Sequence, residues 1–470
     1  MADTGTMTRW GVEECARRAT AGEVTALELV EASLAAIEER NGPLNAISVV
    51  LADEARAEAA ARDDLLARGV EPGPLHGVPV VIKEELHVAG TVTTFGGRGN
   101  STPATADSEV VRRLRKAGAV VVAKTRMPEF GALPFTETDA HGVTRNPWET
   151  HHAPGGSSGG TAVAVSAGMV PFGMGGDGGG SIRIPSACCG LFGLKPQRGR
   201  VTTAPERHIW WALGTVGPLT RSVRDSALVY DVIRGNEPTD LFTALPAASF
   251  LSAANREPGR LRIGWSVKTQ SIGSRPHRSH VRAVEETAIL LAGLGHEVFE
   301  IDPDYPDATA AFVPQFFAGI REEADAVQHY DRLERRIRET YRLGSWVRPA
   351  TVAWAVRESE KIAAKANRVF ERCDVLLTPT IACRPPATGR LHHVGLIRAA
   401  VRALPMIAYT ALWNVTGNPA ASVPCGVAHD GLPLSVQLVG RIDDEATLFS
   451  LSAQIERERP WPLVAGDPPR

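Results

Sequence analysis

The sequence predicts an α/β chain built on a central sheet covered by helices. Short β-branched apolar runs alternate with amphipathic stretches along the whole length. No composition shift, long linker or repeat of roughly 20–50 residues divides the chain. Of 470 residues, 43% are hydrophobic and 22% charged, the profile of a globular protein with a sizeable core.

From the amino terminus, TALELVEASLAAIEERNGP reads as a helix opened by a capping box of Thr25 and Glu28. Val30, Leu34 and Ile37 stripe it, and Asn41-Gly42-Pro43 is expected to stop it. An alanine-rich helix follows through Leu66. GVPVVIK, Gly77 to Lys83, is a short buried strand ending in a lysine. SEVVRRLRKAG is an amphipathic helix leading into the strand AVVVAK, which closes at Lys124. GGTAVAVSAG, after Ser158, is a helix of small residues that can pack closely on its neighbours. Near the carboxyl end SVPCG and LPLSVQLVG look like paired strands, and DEATLFSLSAQIERER a closing helix. Residues 300–370 carry helical signals with Phe312, Phe316, Phe317, Tyr330, Trp346 and Trp354; they are one side of a pocket, or simply a helical layer.

Composition excludes several function classes. A net charge of −2 gives no electrostatic reason to expect nucleic acid or an anionic membrane as partner. The sequence has no apolar run long enough to span a bilayer, and its first residues lack a signal-peptide hydrophobic stretch. Six cysteines show neither a CxxC pair nor zinc-finger spacing, and the vicinal Cys188 and Cys189 read as small buried residues. A reducing, cytoplasmic setting is expected, with no metal and no organic cofactor.

The chemistry concentrates in two glycine-rich stretches. GMGGDGGGSIRIP, Gly173 to Pro185, gives up conformational restraint where backbone lies against something. Gly173, Gly175 and Gly178 satisfy GxGxxG, but Pro185 interrupts the helix a dinucleotide site needs and LKPQRGR is basic where an acid belongs. A phosphate P-loop fails because neither stretch continues into Gly-Lys-Ser/Thr. Gly155-Gly156-Ser157-Ser158-Gly159 matches the GxSxG nucleophile elbow, with His208, His296, His329 and His392 as candidate partners. That reading leaves the second glycine loop and its own serine unexplained. A third reading uses both loops and Lys83. A serine attacks an amide only with a base beside it, and a lysine buried at a strand end loses the solvation that favours its charge. DGGGS supplies consecutive N–H groups that can converge on an oxyanion.

Three segments resemble the amidase signature family. GVPVVIK is similar to its strand ending in a lysine, PGGSSGGTAVAVSAG to its serine- and glycine-rich signature, and GGDGGGSIRIPSACCGLFGLKPQRGRV to its nucleophile segment. The likeness runs from about residue 25 to 456 within a single domain spanning 1–470. It implies a mixed sheet with helices on both faces, and hydrolysis of linear carboxylic amides through an acyl-enzyme. Ser181 is then the nucleophile, Ser157 the bridging serine after a cis peptide, and Lys83 the base. Gly178, Gly179, Gly180 and the Ser181 N–H form the oxyanion hole, with Gly131 and Ser158 as substrate-binding positions. The implied partner is a small amide, and a homodimer is compatible with the family. The other function the family admits is the glutaminase subunit of a tRNA-dependent amidotransferase.

Several side chains are read from the residues alone. Ser158 is expected to combine a helix N-cap with a site role. Asp177 holds the glycine turn by bonding its own backbone, and Arg183 makes a structural ion pair. Trp210 and Trp211 are an aromatic wall or, equally, buried core. This chain departs from the family pattern at Gly178, at Arg126 and at Glu84-Glu85 after the lysine. Both glutamates are expected to point away from Lys83 or to be bound elsewhere.

Overall fold

The computed structural model describes residues 4–270, 273–391 and 394–467. Its centre is an 11-stranded mixed sheet. From edge to edge the strands are Ile47–Val50, Val120–Thr125, Pro79–Lys83, Phe172–Asp177, Thr215–Thr220, Phe192–Lys195, Ala420–Val427, Pro433–Val439, Val375–Pro379, Arg262–Trp265 and Glu297–Glu300. Pro79–Lys83 runs parallel to both neighbours, a second parallel group closes the far edge, and the middle is antiparallel.

Period-2 alternation puts helices on both faces. Val80 and Ile82 join a core with Val110, Leu114, Val223 and Tyr230, while Val81 joins another with Val30, Ile37, Ala162 and Val165. Lys83, two residues after Val81, falls on the face covered by the helix Gly159–Ser166. That helix is buried at all eight positions, and Gly173 lets it approach. A Cβ on Gly173 would lie 2.6 Å from the side chains of both Thr161 and Val81.

The capping box forms as read. The Glu28 N–H donates to Thr25 Oγ1 (3.0 Å), and the Thr25 N–H donates to Glu28 Oε2 (2.8 Å). The stop does not fall at Asn41-Gly42-Pro43, because the helix continues to Leu44. One proline costs one amide donor near a helix end, and Asn45 in the left-handed region (φ 51°) makes the actual termination. Asn41 Oδ1 then accepts the Ala46 and Ile47 N–H groups, each at 2.8 Å. Residues 300–370 are helical, with Thr309–Ala326, Arg335–Leu343 and Pro349–Ala366 as the main elements.

Candidate active site

Three backbone segments meet at the carboxyl end of the strand Pro79–Lys83. Lys83 is fully buried, and its Nζ donates to Ser157 Oγ at 2.8 Å. Ser157 is 2% exposed and follows a cis Gly156–Ser157 peptide. Its neighbour Ser158 donates its N–H to the Ser181 carbonyl (3.3 Å), tying the two serine loops together. Ser181, 9% exposed, follows the glycine run at the end of the strand Phe172–Asp177. Gly131 also belongs here. With φ +66°, its backbone comes so close that a Cβ would sit 3.2 Å from Ser157 Oγ.

Asp177 and Arg183 hold the glycine turn. Asp177 Oδ1 accepts the Gly180 N–H (2.7 Å) and Oδ2 the Ile182 N–H (3.2 Å). The fully buried Arg183 guanidinium binds both carboxylate oxygens at 3.0 Å. It also donates to Gln437 Oε1 (2.9 Å), Asn414 Oδ1 (2.7 Å) and the Thr410 carbonyl (3.1 Å). Burial opposes ionisation of Asp177, but the Arg183 charge and its hydrogen bonds outweigh it and hold the carboxyl well below its usual range. Arg183 is thus a structural partner, as read. Thr410 Oγ1 donates to the Gly179 carbonyl (2.7 Å), and Asn414 Nδ2 to the Asp177 carbonyl (2.8 Å). Sequence reasoning missed both residues. They lie 231 and 237 positions along the chain from their partners, in ALWNVT, which carries no motif.

Three expectations are corrected. The Gly180 N–H is taken by Asp177, so the donors without an acceptor among the described residues are those of Gly178, Gly179 and Ser181. Ser158 does not cap its helix. Its Oγ donates to the Gly176 carbonyl (3.2 Å), and its side chain, fully buried with both donors used, faces the interior rather than a substrate. Of the two glutamates, only Glu84 turns away, accepting Ser48 Oγ (2.6 Å) and the Thr94 N–H (3.0 Å) and pairing with Lys124 (3.3 Å). Glu85 Oε2 lies 3.0 Å from Lys83 Nζ.

The glycines do different work. Gly173 and Gly175 lie within the strand, which removes the dinucleotide reading. A Cβ on Gly175 would meet Ser158 Oγ at 2.7 Å, and one on Gly178 the Trp210 ring at 2.7 Å. Gly180 has φ +130°, which side chains rarely adopt. Trp210 is both wall and core. Buried beside Gly178, it packs edge-on against Phe316 (5.1 Å) and donates Nε1–H to Glu323 Oε1 (3.0 Å). Trp210 and Trp211 both have positive φ (49° and 59°), and Trp211 is pinned through Glu322 (3.1 Å) and stacked on His208 (4.6 Å). The elbow histidines are elsewhere: His296 binds Gln454 (2.8 Å), His329 contacts Ser101 (3.2 Å), and His392 lies outside the described residues.

Residues 28–449 match the Amidase family model. The chain belongs to the amidase signature family. It is 46% identical over 456 residues to the Mycobacterium tuberculosis protein named "Putative amidase AmiB2", covering 96% of each chain. The solved 6-aminohexanoate cyclic dimer hydrolase complexed with substrate superimposes with a TM-score of 0.90 at 30% identity, covering 98% of this chain and 99% of that one. A bacterial aryl acylamidase of the same family gives 0.88 at 26% identity, with the same coverage. This amidase has, among its described residues, no cluster of three or more His, Cys, Asp or Glu placed to hold a metal. None of its helices, among the residues described, is long and apolar enough to cross a membrane.

Proposed function

We propose that the chain hydrolyses a carboxylic amide through a serine acyl-enzyme, with Ser181 as nucleophile, Ser157 as bridge and Lys83 as base. One observation carries the reading: a fully buried lysine donates at 2.8 Å to a buried serine whose loop is bonded to that of Ser181. Ser181 Oγ attacks the amide carbonyl carbon while its proton passes to Ser157, whose own proton passes to Lys83. The oxyanion is met by the N–H groups of Gly178, Gly179 and Ser181. The tetrahedral adduct collapses, the C–N bond breaks, and the proton returns from Lys83 through Ser157 to the leaving nitrogen. Water then cleaves the ester by the same relay, releasing the acid.

We infer further that the helical layer within 300–370 walls the substrate pocket. Phe312 supports this, since its ring is 3.4 Å from where a Cβ on Gly179 would stand. Trp210 supports it too, lying between Gly178 and Gly319. The likeness to a cyclic dimer hydrolase extends the substrate class to be tested from linear to cyclic amides. The six cysteines, all free, accord with a cytoplasmic setting. The glutaminase reading is not favoured, because the family members most like this chain include a cyclic dimer hydrolase and an aryl acylamidase. The test is mass spectrometry of the chain mixed with linear and cyclic amides. An acyl adduct on the peptide containing Ser181 supports the proposal, and an adduct on Ser157 instead would refute it.

A further inference from the structure

The sequence places a second carboxylate directly after the lysine, and the backbone folds it back. The Leu86 N–H donates to the Lys83 carbonyl (3.0 Å), a tight turn that returns the Glu85 side chain to its neighbour two residues earlier. Oε2 reaches Lys83 Nζ at 3.0 Å, while Oε1 is buried without a hydrogen-bond partner. The strand alongside leaves room for it. A Cβ on Gly176 would lie 2.2 Å from Glu85 Oε1, and the three nearest atoms to that position all belong to the Glu85 carboxylate. Gly176 lacks the positive φ that would otherwise call for glycine, so the carboxylate is what its missing side chain accommodates.

We infer that Glu85 is a positioning residue for Lys83, holding Nζ against Ser157 and setting the pH range over which the proton relay works. The inference rests on the serine–serine–lysine reading above. A carboxylate 3.0 Å from an amine favours the amine's charged form. Glu85 therefore stabilises the ammonium that Lys83 becomes when it takes the Ser157 proton. The same contact restricts the free amine, the form that accepts that proton, to higher pH. The other charges facing the pair are committed elsewhere or oppose a simple substitute. Glu84 is bound to Lys124, Ser48 and Thr94, and Asp177 on the neighbouring strand is bound to Arg183. Glu323, from the helix Thr309–Ala326, is pushed well above the usual carboxylate range by burial; its Trp210 hydrogen bond opposes this and the Glu85 charge adds to it. A carboxyl so held is neutral at pH 7 and leaves Glu85 as the anion beside Lys83.

The test is kcat/KM against pH on an aryl amide for the unaltered chain, Glu85→Gln, Gly176→Ala and Ser157→Ala. Glu85→Gln should move the acid limb to lower pH by about one unit or more and lower the alkaline plateau. Gly176→Ala keeps every charge but pushes the carboxylate off Nζ, so its limb should move the same way. If Glu85→Gln fails to fold, Gly176→Ala decides. A limb that stays in place in the folded variants, or moves to higher pH, overturns the inference. Persistent activity in Ser157→Ala would instead overturn the relay itself, so the two failures are told apart.

Discussion

Ser181 and Ser157 act on one proton, so their losses should overlap rather than add. Ser181→Ala is expected to abolish acyl-enzyme formation, and Ser157→Ala to come within about tenfold of the same loss; trapping the adduct and following it by mass measures both. Arg183 presents a different case. It touches no reacting atom, yet its removal leaves Asp177 ionised and buried among groups that no longer balance it. Breaking a buried pair by deleting one partner costs about 3–5 kcal/mol, so Arg183→Met should lower the denaturant midpoint sharply. The sign of the pH effect follows from Asp177, whose carboxyl is held below its usual range. The stability this pair contributes is present above about pH 4 and is lost only as pH falls through the depressed folded value. Acid titration of unfolding should therefore separate the two chains above pH 4 and bring them together at low pH.

At the scale of elements, the short turn Glu129–Gly131 and the glycine strand decide how tightly the site is built. Burial raises the Glu129 carboxyl to about 8, with the Glu334 charge adding to it. A carboxyl raised in the folded state favours folding at low pH, and that advantage is lost as pH rises toward 8. Glu129→Gln should accordingly gain stability over the unaltered chain between about pH 5 and 8, by up to about 1.4 kcal/mol per pH unit. Parallel thermal melts at the two ends of that range measure it. Gly178→Ala brings a methyl to 2.7 Å from the Trp210 ring. Shifting an oxyanion donor by this kind of clash is expected to cost about 100-fold in kcat with little change in melting temperature. These same elements show what the sequence could and could not say. Lys83, Ser157 and Ser181 were legible because each sits in a local motif whose chemistry needs it. Gly173, Gly175 and Gly176 looked like part of an oxyanion cradle, but they are glycines because Thr161, Ser158 and Glu85 pack onto them. No local pattern reports such a neighbour. The Glu85 contact was misread for the same reason: the turn that returns it is set by tertiary packing. Pro43 inside a helix shows the converse, a strong local stop outweighed by the Asn45 termination two residues later.

Across the whole molecule, the site draws on the full length of one chain. The base comes from Lys83, the nucleophile loop from residues near 180, the aromatic wall from Trp210 and Phe312, and the clamp on the glycine turn from Thr410, Asn414 and Gln437. Every hydrogen bond that holds these groups in place is intrachain, so the geometry asks nothing of a second subunit. The relay is also complete without imidazole, and none of the 13 histidines lies in its three motifs. Two linked outcomes follow for the purified chain alone. It should hydrolyse aryl and aliphatic amides while leaving free glutamine essentially untouched, as liquid chromatography of the released acids and amines would show. Replacing His208, His296 or His329 by alanine should leave kcat/KM within about tenfold, since packing changes near Trp211 perturb orientation without removing a proton carrier. A thousand-fold loss from one of these histidines in a folded chain would return the GxSxG elbow to consideration. Glutamine cleavage that appears only with added partner subunits would favour the glutaminase instead.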